Sequence, residues 1–99
     1  MTMTEDRWIA AAVGLGEYLN KTHAGSGNRF SVERHMEWTD GAVYFLLRSE
    51  TNGFGCTTYG PYSSTDWDAA RGFFERCMDS LGLSTTRTLM RMSVMGILK

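Results

Sequence analysis

Apolar and polar positions alternate along three stretches in the middle of the chain, and recur at three- and four-residue intervals on either side. The first pattern is that of strands and the second that of amphipathic helices. Two dipeptides, Asp40-Gly41 and Asn52-Gly53, divide the alternating stretches, and each suits the positive φ values of a two-residue type I′ turn. The prediction is a three-stranded antiparallel meander. With Thr39 opposite Ala42, Trp38 meets Val43, Met36 meets Phe45 and Arg34 meets Leu47 on the face turned to the core. On the other face Glu37 meets Tyr44, His35 meets Leu46 and Glu33 meets Arg48, while the second turn pairs Arg48 with Thr57 and Leu46 with Tyr59. A slip of one residue would turn the apolar set to solvent, so the face each residue occupies is strongly specified.

A helix is expected from about Glu5 to Lys21, with Thr4 as N-cap, acids in its first turn, and Trp8, Ala12, Leu15 and Leu19 on one stripe. Gly14 and Gly16 each cost about 1 kcal/mol relative to Ala, which is offset only if that side lies close against another element. The residues from His23 to Asn28 are turn formers and predict a mobile loop. After Gly60-Pro61-Tyr62, the Ser63-Ser64-Thr65 run offers caps to a second helix over Asp66–Leu81. Its stripe is Trp67, Ala70, Phe74, Cys77, Met78 and Leu81, Arg71 pairs with Glu75, and Gly82 suits the C′ position. The tail from Leu83 reads in two ways. Thr86, Thr88, Met90, Met92 and Val94 alternate like a strand, yet Ser84 also caps a short helix containing Leu89, Met92 and Met95, the reading favoured here. The fold class is thus α+β, a single domain over residues 1–99.

Composition agrees: 99 residues with 42% hydrophobic content suffice for one modest core. The formal charge of −1 provides no positive field to draw in a phosphate backbone. The start of the chain has neither a basic leader nor an apolar run of spanning length, so a cytosolic location is expected. Cys56 and Cys77, without C-x-x-C spacing, are read as reduced and buried.

Chemistry is sparse. The two histidines, His23 and His35, lack ligand spacing, and Glu33, His35 and Glu37 alternate along one strand as a solvated face does. A Cys56–His35 dyad would require the first and third strands to be neighbours, which a meander denies. No phosphate-binding glycine motif and no H-E-x-x-H is present. The expectation is a protein that is not an enzyme and that carries no metal and no cofactor.

What remains is surface. The sheet face away from the core presents Tyr44, Leu46 and Tyr59 ringed by Glu33, His35, Glu37 and Arg48, an aromatic centre with a charged rim of the kind found at interfaces. It is a binding site if exposed, and a second core if the tail or the first helix covers it.

The order helix, three antiparallel strands, helix resembles double-stranded-RNA-binding domains, and the run from Tyr62 through Asp66, Trp67, Ala69, Ala70 and Arg71 to Phe74 is similar to the strand-to-helix step of AP2-type DNA-binding domains. Either resemblance implies nucleic-acid binding, and an AP2-like sheet would have Arg29, Arg34 and Arg48 as its available cations, among acids. However, Asp66 and Asp68 stand where an RNA-binding domain of that order places lysines, and they repel phosphate. The small, slightly acidic chain without catalytic residues also resembles the anti-CRISPR and other anti-defence inhibitors of phages. That likeness implies a protein acting in the host cytoplasm, whose acids Glu33, Glu37, Asp40 and Asp66 meet Lys/Arg surfaces that a nuclease complex keeps for nucleic acid. A structural homodimer, joined through the Met-rich tail or an open sheet edge, is the third reading.

Overall fold

The computed structural model describes residues 2–23, 27–51 and 54–99. The chain is α+β, in the order α1 (Glu5–Thr22), β1 (Asn28–Met36), β2 (Val43–Thr51), β3 (Phe54–Tyr59), α2 (Asp66–Leu81) and α3 (Thr85–Val94). The sheet is the antiparallel meander β1-β2-β3. One of its faces is covered: α1 packs on β1, α2 packs on β2, and the two helices pack on each other. Phe45 of β2 meets Phe73 of α2 with ring centroids 5.8 Å apart, at the centre of a core completed by Leu15, Leu19, Phe74 and Met78.

The helices start and stop where local chemistry dictates. The Thr4 side chain accepts from the Arg7 N–H at 3.2 Å, and the Ser84 side chain accepts from the Arg87 N–H at 3.3 Å. At the end of α2, Gly82 adopts φ 69°, and the Leu83 N–H donates to the Met78 carbonyl at 2.9 Å, as in a Schellman cap. The tail is helical rather than extended. It buries Thr88, Leu89 and Met92 against α1 and α2, because alternation over 86–94 would have left half of those side chains without a core to enter.

Two close approaches hold the layers together. A Cβ on Gly16 would lie 3.4 Å from the Phe30 carbonyl oxygen and 3.4 Å from the Ser31 Cα, so α1 runs almost against the backbone of β1. Asn20 clamps the same place, its Nδ2 donating to the Phe30 carbonyl at 3.0 Å and its Oδ1 accepting from the Phe30 N–H at 2.7 Å. That amide pairs both backbone groups of an edge-strand residue. On the other side, a Cβ on Gly60 would lie 2.4 Å from Phe73 Cβ, and one on Gly72 would lie 2.5 Å from Pro61 Cγ. The exit of β3 and the face of α2 are interlocked.

The β2–β3 register is the expected one, with Leu46 opposite Tyr59 and Arg48 opposite Thr57; its turn at Asn52-Gly53 lies outside the described residues, as does most of the loop after His23. The β1–β2 register differs by two residues: Met36 faces Val43, Arg34 faces Phe45, His35 faces Tyr44 and Glu33 faces Leu46. The connection is therefore longer than the two-residue turn expected at Asp40-Gly41. The Glu37 N–H donates to the Ala42 carbonyl at 2.8 Å, the Gly41 N–H donates to the Glu37 carbonyl at 3.1 Å, and Gly41 takes φ 71°. Asp40 Oδ1 accepts from the Ala42 N–H at 2.9 Å and fixes the turn. A shift of two keeps every side chain on its face. What changes is Trp38, which leaves the expected contact with Val43 and stands on the loop with 99% of its surface exposed.

Replacing Gly60 by Ala forces its methyl into Phe73. The expected loss is about 1–3 kcal/mol of unfolding free energy, read from urea or thermal melts, with unchanged helical content at low temperature.

Candidate functional site: the uncovered face of the sheet

The tail does not lie on the sheet, since α3 packs against α1 and α2, and α1 and α2 occupy the inner face. Among the described residues nothing covers the outer face. Its even positions on β2 are Tyr44, Leu46 and Arg48, and the odd positions of β1 bring Glu33 and His35 beside them. Leu46, expected to be part of an exposed patch, is only 4% exposed, although it stands outside the inner core. It is the floor of the face, and the surrounding side chains are its cover.

Around that floor the aromatic rings form one cluster. His35 stacks on Tyr44, with centroids 5.2 Å apart and planes 17° from parallel. Tyr59 and Tyr62 approach the same Tyr44 ring at 5.8 and 4.7 Å. Glu33 Oε2 lies 3.2 Å from His35 Nε2 and 3.4 Å from Arg48 Nε, so Glu33 reaches Arg48 diagonally rather than from directly across. The Tyr62 hydroxyl donates to Glu37 Oε1 at 3.2 Å. Desolvation first, and that bond to Glu37 second, raise the Tyr62 phenol above its ordinary 10.0, so it stays a neutral donor.

Tyr62 was not among the residues singled out from the sequence. Beyond Tyr59, continuing the β3 register would set Tyr62 opposite Val43; instead Ser63 bridges Val43, with N–H to carbonyl bonds of 2.7 and 2.9 Å in the two directions. One extra residue is thus inserted at Gly60-Pro61, as in a bulge, and it turns Tyr62 onto the face of Tyr44. A Gly-Pro pair followed by an aromatic is the signal that was available.

Two expected members are elsewhere. Asp40 sits on the β1–β2 loop with one carboxylate oxygen engaged by the Ala42 N–H. Asp66, at the start of α2, is held by Arg34, with Nε to Oδ2 at 2.7 Å and a second guanidinium nitrogen to Oδ1 at 2.9 Å. Arg34 belongs to the core-facing positions of β1, as expected, but the helical layer ends there, and both side chains stay partly exposed. The Asp66 carboxylate is thus already paired, on the opposite side of β1 from the aromatic cluster. The absence of cover at this end also leaves Met36 exposed.

Among the described residues no three His, Cys, Asp or Glu side chains form a metal cluster. Cys77 is buried, which pushes its thiol up to about 12 and leaves it no thiolate to react. His35 on β1 is separated from β3, which carries Cys56, by the whole of β2; the Cys56 side chain lies outside the described residues. No described helix is long and apolar enough to cross a membrane. No protein-family model matches the chain, and neither does any curated protein or solved structure.

The Arg34–Asp66 pair gives a pH test. Its hydrogen bond to Arg34 holds the Asp66 carboxyl below its ordinary 3.8, so the pair's stabilisation is complete above that value and is lost as pH falls through the lower, folded value. At neutral pH, Arg34→Gln is expected to cost less than about 1 kcal/mol, because the pair is partly exposed. In melts at strongly acid pH the variant and the parent should coincide.

Proposed function

We propose that the protein is a non-enzymatic binding module that acts by blocking a macromolecular partner, and that the outer face of its sheet is the contact surface. The observation that carries the reading is the open aromatic cluster: Tyr59 and Tyr62 are 51% and 55% exposed around Tyr44, in contact with one another through that ring. Tyrosines present large contact area at little entropic cost, and such anchors dominate interfaces when a polar rim keeps water out. The rim here is Glu33, Glu37, His35 and Arg48. Trp38, exposed on the loop that follows β1, extends this end of the molecule with a second aromatic anchor.

The partner that fits is a protein surface with basic and apolar groups. Glu33 and Glu37 favour Lys and Arg across an interface and oppose phosphate. On the likeness to phage anti-defence inhibitors, such a surface is the nucleic-acid channel of a CRISPR-Cas or other nucleic-acid-targeting complex, occupied in place of its nucleic acid.

The test is affinity capture of the tagged chain from host lysate at low and high salt, with and without nuclease. A nuclease-resistant protein complex is expected. Combining Glu33→Lys, Glu37→Lys and Tyr59→Ala should abolish capture while leaving the chain folded, each substitution costing no more than about 1 kcal/mol, since all three side chains are partly exposed. Recovery that disappears with nuclease, or binding to oligonucleotides that is steeply salt-dependent and lost on Arg48→Ala, would assign the face to nucleic acid instead.

A further inference from the structure

A second apolar surface lies on α3 and shares no residue with the sheet face. Leu89 and Met92 fill the core side of this helix, yet Met90 and Val94, one turn apart, are 56% and 88% exposed. Arg87 and Arg91 are interleaved with them at the same spacing, so residues 87, 90, 91 and 94 form one stripe along the helix. Met90 and Val94 also make one wall of a groove of about 550 Å³ whose other wall is Met3 and Trp8. Trp8 is fixed there by an edge-to-face contact with Phe74 at 6.1 Å.

Among the described residues that line the groove, Glu75 is the charged one; Arg87 and Arg91 line an adjoining hollow that shares Met90 and Val94 with it. α3 carries no acid, and among the described residues neither the Arg87 nor the Arg91 side chain forms an ion pair. Glu75 stands on the groove wall, but Arg71 already engages it at 3.0 Å. A second copy of the chain docked stripe to stripe would gather Arg87 and Arg91 of both copies with no acid on either α3 to offset them. A flat lipid surface would not fill a groove walled by Trp8 and Met3 on one side and Met90 and Val94 on the other. A helix would, because its side chains at i, i+3, i+4 and i+7 repeat at the spacing of the stripe.

We propose that this groove docks an acidic amphipathic helix from a partner protein. Its apolar side chains seat between Trp8 and Val94, and its Glu or Asp side chains meet Arg87 and Arg91. The site is independent of the sheet face, so one chain presents two surfaces of different chemistry.

The probe is a fluorescent peptide of leucines at helical spacing with glutamates on the remaining positions, titrated into the full chain and followed by anisotropy and by amide chemical shifts. Saturable binding is expected, with shifts centred on Thr86, Met90 and Val94. Arg87→Glu with Arg91→Glu should weaken it by at least about tenfold, and Val94→Ser should weaken it without altering the melt, since Val94 is exposed. Equal binding by a leucine-lysine peptide, or no binding by the acidic one, would overturn the proposal. Binding to phosphatidylglycerol vesicles in place of the peptide would overturn it in favour of a membrane. Self-association in sedimentation that is lost on Val94→Ser would overturn it in favour of a second copy.

Discussion

The architecture depends on the interlock between the exit of β3 and α2. Gly60 lies where its missing Cβ admits Phe73, and Pro61 fills the space that Gly72 leaves open. This seats α2 on β2 with Phe73 against Phe45. Because α2 is seated there, its first residue, Asp66, comes within reach of Arg34 on β1. The same short segment carries the extra residue that lets Ser63 bridge Val43, and that residue turns Tyr62 outward onto Tyr44. One packing constraint therefore closes the core on one side of the sheet and completes the aromatic cluster on the other.

The fold was legible where local chemistry and tertiary packing agree. The α2 boundaries follow from a run of capping residues, an apolar stripe and a C′ glycine, all within the segment itself. The β2–β3 register was legible for the same reason: a two-residue connection leaves one antiparallel pairing. The β1–β2 register was not, because a loop closed by an Asp40 side chain and by one glycine of positive φ competes with the shorter turn, and both place every residue on the same face. Face membership has a period of two and survives such a shift; pairing does not. The sequence pattern thus identified Glu33, His35, Tyr44, Arg48 and Tyr59 as one surface; it misplaced the neighbours across β1 and β2 but not the Leu46–Tyr59 and Arg48–Thr57 pairs.

What the sequence could not convey was how far the helical layer extends. Arg34, Met36 and Trp38 share a parity with Phe30, which is buried, so periodicity alone assigns them all to the core. The layer stops at the start of α2, and beyond it the same parity means solvent. Trp38 follows the core parity, yet it is the most exposed of the large apolar side chains described. Conversely Leu46, on the outer parity, is buried by its own neighbours. Periodicity gives a direction, and only the finite size of the opposing layer converts direction into burial.

A net charge of −1 conceals an uneven distribution. The outer face of the sheet sets Glu33 and Glu37 at its edges, whereas α3 offers arginines and no acid. The most exposed side chains contribute least to folding. Val94 and Trp38, nearly fully exposed, gain almost no transfer free energy from the folded state, and their replacement removes none. The core is complete without them: Phe45, Phe73, Phe74, Leu15, Leu19 and Met92 are fully buried. Core and exposed apolar surface are therefore carried by different residues on the same elements: on α3, Leu89 and Met92 are buried while Met90 and Val94 stay exposed, and on β2 Phe45 is buried on the face opposite Tyr44.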